Sequence, residues 1–336
     1  MDVTQKEPNA GWGIEDGVDA LRILATAVTF DLAAPEIVIG GAADCGIVLD
    51  DPTRCVSRHH AKLVRQDTKL VVSDSGSTNG IWQDGERRLS FELSPGCQVK
   101  IGGVTLVAES PRLRVLRAYL ERAIGWGESR REDVDNAIAA IRGAVRSRAA
   151  LALCGMKQLV DVARSLHVLT MGSARPFVVA DEDHEIDEAG GGTLCIDLAR
   201  TSRTDAAALA LDFQDTSERG QLVVCAQTRA DIAALALERV FVMELPMLTT
   251  RREEFEQLIH MYIDDAVRDL GADGPALNEH EMTWLRHVPI DSLTELEELA
   301  RRLVAVRNWG PTAGAQRLGI THVALGKWLR RRKIPT

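Results

Sequence analysis

No stretch of this 336-residue chain approaches the ~18 consecutive apolar residues that a membrane-spanning helix needs. Its first residues, MDVTQKEPNAGW, lack a basic region followed by an apolar one, so a cytoplasmic protein with no membrane partner is expected. The six cysteines (Cys45, Cys55, Cys97, Cys154, Cys195 and Cys225) are scattered without a CxxC pair and read as reduced core thiols, with no metal or cofactor implied. Acidic residues are absent from one region. Between Arg301 and Thr336 there are nine Lys or Arg and no Asp or Glu, so the formal charge of −9 is the balance of +9 in this tail and −18 in the rest. That balance excludes a protein that coats nucleic acid along its whole length and leaves one end suited to a polyanion.

What remains is an ordinary soluble composition, 45% apolar and 26% charged, in a chain long enough for two or three domains. From Ile37 to Gly85, short β-rich runs (Ile37 to Ile39, Ile47 to Leu49, Lys62 to Val64, Leu70 to Val72) alternate with turn clusters, the pattern of a small all-β sandwich. A first strand is expected over Leu21 to Leu32 and a last hairpin over Val99 to Val107. The intervening loops hold Ser57, Arg58, His60, Ser75, Ser77, Thr78 and Asn79, whose hydroxyls, amide and guanidinium suit a phosphate-bearing peptide. At IGG, SRHH and DSGSTNG the stretch resembles a forkhead-associated (FHA) domain. The resemblance implies that Ser57 meets the phosphate and Asn79 the peptide backbone, with Arg58 and Thr78 flanking them; His60 itself reads as a buried histidine that braces the loop. Gly41 stands where the family motif has a phosphate-binding arginine, which leaves open both weakened phosphothreonine binding, with Arg58 as a substitute, and phosphate-independent protein binding.

From Pro111 to Arg148 the composition turns to helix formers, with Val134, Ile138, Ile141 and Val145 forming one apolar stripe and Arg142, Arg146 and Arg148 read as its solvated face. From Ala149, apolar strands without period-two alternation are separated by helices, which predicts a parallel sheet covered on both faces. Here ARPFVVA, GGTLCIDLA, VMELPMLTTRREEFEQLI and SLTELEELARRLV resemble, in order, segments of the AAA+ domain of sigma-54-dependent enhancer-binding activators. The catalytic residues of that family are missing. In place of GxxxxGK[ST] stands LCGMKQL, in which Lys157 is followed by no hydroxyl residue; Leu198 follows Asp197 where the resemblance implies a glutamate; Thr294 replaces an arginine; and no GAFTGA loop lies between Lys157 and Asp197. DEDHEIDE (181–188) reads as a solvated acidic loop, since consecutive residues do not converge on one ion.

The last segment, RNWGPTAGAQRLGITHVALGKWLRRRKI, reads as a short helix over Thr312 to Leu318, a turn at Gly319-Ile320, and a second helix capped by Thr321. It resembles the Fis-type helix-turn-helix of enhancer-binding activators. The resemblance implies duplex DNA as a partner, a homodimer on two half-sites, and contacts from Thr321, His322, Val323, Lys327, Arg330, Arg331, Arg332 and Lys333. The expected fold class is thus multidomain: a flexible N-terminus (1–20), an all-β FHA sandwich (21–110), a helical connector (111–148), a degenerate AAA+-like, P-loop-NTPase-like α/β domain with a helical lid (149–300) and an all-α helix-turn-helix (301–336). The expected function is a DNA-binding, non-enzymatic transcriptional regulator that recognises a phosphothreonine-bearing or other protein partner. An active sigma-54-dependent ATPase and an FHA signalling adaptor without DNA binding are the alternatives.

Overall fold

The computed structural model describes residues 14, 16–180, 185–216, 220–274, 277–332 and 334. The chain divides into two compact units, one formed by residues 1–154 with 162–243 and the other by residues 155–161 with 244–336.

The first unit begins with a β-sandwich. One sheet contains β1 (Ala20–Ile23), β2 (Thr29–Asp31), β7 (Ile81–Gln83), β8 (Glu86–Arg88), β10 (Gln98–Ile101) and β11 (Val104–Glu109) in the order β2-β1-β11-β10-β7-β8. The other contains β3 (Glu36–Gly40), β4 (Ile47–Val48), β5 (Ala61–Gln66), β6 (Lys69–Asp74) and β9 (Ser90–Glu92) in the order β4-β3-β5-β6-β9. Alternation drives the layering: Ala61 and Leu63 of β5 and Leu70 and Val72 of β6 are buried, with Leu63 directly opposite Val72, and Ile39, Ile81, Ile101 and Leu106 complete the core. The single strand expected over Leu21 to Leu32 is instead a hairpin. Ala25 adopts φ 59° and the chain reverses so that β1 pairs with both β2 and β11.

Two helices follow, α1 (Pro111–Ile124) and α2 (Glu128–Ser147). Ser110 caps α1 through its hydroxyl, which accepts from the Leu113 amide at 3.2 Å, and Pro111 occupies the first turn, where its missing N–H costs nothing. Val134, Ile138, Ile141 and Val145 are all buried, as their spacing predicts. The arginine reading is corrected at Arg142, which is buried. Its guanidinium donates to Asp84 of the sandwich at 2.7 Å and to the Ser94 hydroxyl, and Arg146 reaches the same carboxylate at 2.6 Å. A deeper anchor joins the same elements: Glu109 accepts from Arg22 at 2.9 Å and from Arg117 at 2.8 Å, while Asp135 accepts from Arg117 at 2.7 Å and also pairs with Arg22.

The α/β region contains β12 (Ala150–Gly155), α3 (Leu159–Thr170), β13 (Phe177–Ala180), α4 (Glu185–Glu188), β14 (Thr193–Asp197), α5 (Arg203–Thr216), β15 (Gln221–Ala226), α6 (Arg229–Ala233) and β16 (Val240–Leu245). Its sheet runs β13-β14-β15-β12-β16, with parallel pairing of β13 with β14, β14 with β15, and β15 with β12. Phe213, Leu194, Ile196 and Val224 lie in its core. Gly143 is required where α2 meets β16, because a Cβ there would lie 2.6 Å from the Phe241 ring.

The second unit carries α7 (Arg252–Leu270), α8 (Glu279–His287), α9 (Leu293–Arg317) and α10 (His322–Arg332). The long α9 crosses the 300/301 boundary drawn from the charge change. It breaks at Gly310 (φ 72°), just ahead of Pro311. Gly319 (φ 67°) then turns the chain into α10, whose Leu325 and Leu329 are buried.

Candidate functional site

The loops after β3, β4 and β6 meet at one end of the sandwich and are stitched together by backbone. The Gly41 amide donates to the Ser57 carbonyl and the Ala42 amide to the Arg58 carbonyl, each at 3.1 Å. Asp51 organises the loop leading to Ser57 by accepting from the Thr53 hydroxyl at 2.6 Å and from the amides of Thr53, Cys55, Val56 and Gly103. The Thr53 hydroxyl, with those amides, brings its carboxyl down to about 2. His60 is fully buried. Its Nδ1 accepts from the Ser57 amide at 2.9 Å and its Nε2 donates to the Gly80 carbonyl at 3.0 Å, so the ring ties the Ser57 loop to the Asn79 loop, the bracing role read from the sequence.

On this frame the four predicted peptide-facing residues come together. The Ser57 hydroxyl accepts from the Thr78 amide at 3.2 Å, and Asn79 Nδ2 donates to the Cys55 carbonyl at 2.8 Å, leaving its amide oxygen at the loop surface. Arg58, Thr78 and Asn79 are exposed and Ser57 is half-buried. The cluster therefore offers a hydroxyl, an amide and a guanidinium on one solvent-facing rim, a donor set that suits an anionic, extended ligand.

The core-thiol reading fails at Cys55, which is exposed in the Asp51 loop, whereas the other five cysteines are buried. Cys195 and Cys225, far apart in sequence, stand on neighbouring strands with their sulfurs 3.7 Å apart. Among the described residues, Asp44, Cys45 and His59 bring ligand atoms within 4.8 Å of one another, but each has a partner already: the Cys45 thiol donates to the Arg58 carbonyl and His59 pairs with Asp44.

Lys157, which the sequence resemblance sets where a nucleotide loop would be, pairs with Asp291 at 2.6 Å. Gly155 lies against the Leu245 carbonyl, 2.2 Å from where a Cβ would be. Leu198 packs against the sheet core, and Asp197 accepts from the Ala199 amide. The DEDH portion of the acidic segment (181–184) lies outside the described residues.

On α10 and its preceding turn, Thr321, His322, Val323, Lys327, Arg330 and Arg331 are exposed. Thr321 caps the helix, accepting from the Ala324 amide at 3.2 Å. Arg332 is half-buried and paired with Glu295 at 2.7 Å, and Lys333 lies outside the described residues.

Residues 24–111 match the family model described as the cytoplasmic domain of the inner membrane component of the type III secretion system. Two curated relatives are similar to part of the chain. Oxoglutarate dehydrogenase inhibitor of Corynebacterium diphtheriae is 38% identical over 113 residues, 33% of this chain, and the protein of that name from Corynebacterium jeikeium is 41% identical over 68 residues, 20% of this chain. The chain spans 66% and 46% of those relatives' lengths. Among solved structures, Mycobacterium tuberculosis EmbR in complex with a low-affinity phosphopeptide is 33% identical with a TM-score of 0.26, covering 27% of this chain and 24% of that one. The FHA domain of the CT664 protein of Chlamydia trachomatis is 27% identical with a TM-score of 0.26, covering 27% of this chain and 95% of that one. The N-terminal part of this chain is an FHA-type β-sandwich, followed by a mixed α/β and helical remainder.

Proposed function

We propose that the chain is a signalling adaptor whose N-terminal sandwich recognises a protein segment bearing phosphothreonine. The observation that carries this reading is the convergence of Ser57, Arg58, Thr78 and Asn79 on one exposed rim, locked from beneath by His60 and Asp51. A phosphothreonine carries a charge of about −1.5 to −2 and three acceptor oxygens, which the Ser57 hydroxyl and the Arg58 guanidinium suit. The Corynebacterium relatives bear the name of an enzyme's inhibitor, which fits a chain that acts by binding a protein partner. The α/β region is a scaffold without catalysis in this reading, since its one nucleotide-loop lysine is paired with Asp291 and Leu198 belongs to its core. The test is whether phosphorylation of a threonine raises a peptide's affinity for the full-length protein and whether Ser57 is needed for the gain.

A second reading, for the other end, rests on α10. Its exposed Lys327, Arg330 and Arg331, next to exposed His322 and Val323, support docking of this helix in the major groove of duplex DNA, with a homodimer spanning two half-sites. In that case the phosphopeptide site would regulate a DNA-bound protein.

A further inference from the structure

The recognition rim continues onto a sheet face with an unusual charge pattern. Lys100 of β10 lies directly across from Trp82 of β7, and Trp82 lies directly across from Arg87 of β8. Residues opposite one another in antiparallel strands share a face, so the three form one row, cation, indole, cation, across three strands. All three are exposed. Neither the Lys100 ammonium nor the Arg87 guanidinium has a hydrogen bond or an ion pair within the described residues, in contrast to Arg88, which pairs with Glu86. Asp84, in the turn just after β7, is already held by Arg142 and Arg146.

The row is joined to the rim. The Trp82 indole N–H donates to the Asn79 carbonyl at 3.4 Å. Arg87 lies over Gly80, its Nε 2.6 Å and its terminal nitrogen 3.0 Å from the position a Cβ would take, so the guanidinium packs directly against that loop. Gly80 is two residues from Thr78, no more than ~7 Å of extended backbone. Arg87 thus stands one or two peptide residues away from a phosphate at Ser57, in reach of the neighbouring side chains.

We propose that Arg87, Trp82 and Lys100 form a docking surface for an acidic stretch flanking the phosphothreonine. The proposal rests on the phosphothreonine reading given above. Two unpaired cations on either side of an exposed indole match carboxylates whose methylene stems lie on the ring, and an acidic flank offsets the arginine missing at Gly41.

Full-length protein is titrated by fluorescence anisotropy with labelled phosphothreonine peptides that carry three Glu or three Gln on the N-terminal or the C-terminal side. Two partly exposed ion pairs predict that Glu on one of the two sides raises wild-type affinity about fivefold to tenfold. The Arg87→Gln/Lys100→Gln protein should lose that preference and keep its preference for phosphorylated over unphosphorylated peptide. Arg87→Lys should retain most of it. A wild type indifferent to acidic flanks on both sides, or a double variant that still prefers them, overturns the docking surface while leaving the phosphothreonine site standing. A wild type that does not distinguish phosphorylated from unphosphorylated peptide overturns both.

Discussion

At Gly41 a Cβ would meet nothing closer than the Val56 carbonyl at 3.7 Å, so the backbone there has room for a residue with a side chain. Its neighbour Gly40 is different, with the Arg58 carbonyl 2.1 Å from the corresponding position. Replacing Gly41 by arginine is therefore expected to leave the loop backbone in place, which makes it a clean test of the phosphopeptide proposal. Elsewhere single residues bear more of the fold. Burial alone would raise the Asp135 carboxyl, but the Arg22 and Arg117 guanidiniums outweigh it and hold the group below the usual carboxylate range. Its folded-state stabilisation is therefore present at neutral pH and lost as acid protonates it. Asp135→Ala leaves Arg22 buried without half its partners, and a loss of about 3–5 kcal/mol is expected in denaturant unfolding. A loss below ~1 kcal/mol, the range of exposed ion pairs, would show that the cluster is solvated.

Among the elements, those whose burial follows a simple period were legible in the sequence. The inward residues of β5 and β6 and the stripe on α2 lie where their spacing puts them, and β12 to β16 were visible as apolar runs. The turn at Ala25 was not, because a non-glycine residue at positive φ leaves no compositional mark. Arg142 was misread for a related reason: an arginine on a helix reads as solvated, and its partner Asp84 is a long-range contact that no local pattern encodes. Ser57, Arg58, Thr78 and Asn79 were legible because loop chemistry is dense in a short window. Arg87, Trp82 and Lys100 were not, since strand pairing alone puts them in a row. In the α/β region, missing motif residues and the Lys157–Asp291 pair point the same way. Purified protein is expected to hydrolyse ATP no faster than background, in a coupled phosphate-release assay; a rate that Lys157→Ala abolishes would contradict the scaffold reading.

For the molecule as a whole, charge is divided unevenly: residues 301–336 hold nine Lys or Arg and no Asp or Glu, in a chain whose formal charge is −9. If α10 docks on DNA, affinity falls steeply with salt, and each phosphate contact removed, as in Arg330→Ala or Arg331→Ala, lowers the log–log slope by about 0.9 on operator and random DNA alike. Arg332→Ala should change the slope less, because that side chain is paired with Glu295. Anisotropy over a salt series reads these slopes, and a truncation at residue 300 that binds DNA unchanged would exclude the assignment.

The central claim is phosphate-dependent recognition by the sandwich, and calorimetric titration of full-length protein with one peptide in its threonine and phosphothreonine forms tests it most directly. The account predicts that the phosphorylated form binds more tightly, that Ser57→Ala removes most of the difference, and that Gly41→Arg widens it about tenfold or more through one added charge-assisted contact. Equal affinity for the two forms in the wild type, unchanged by either substitution, would contradict it.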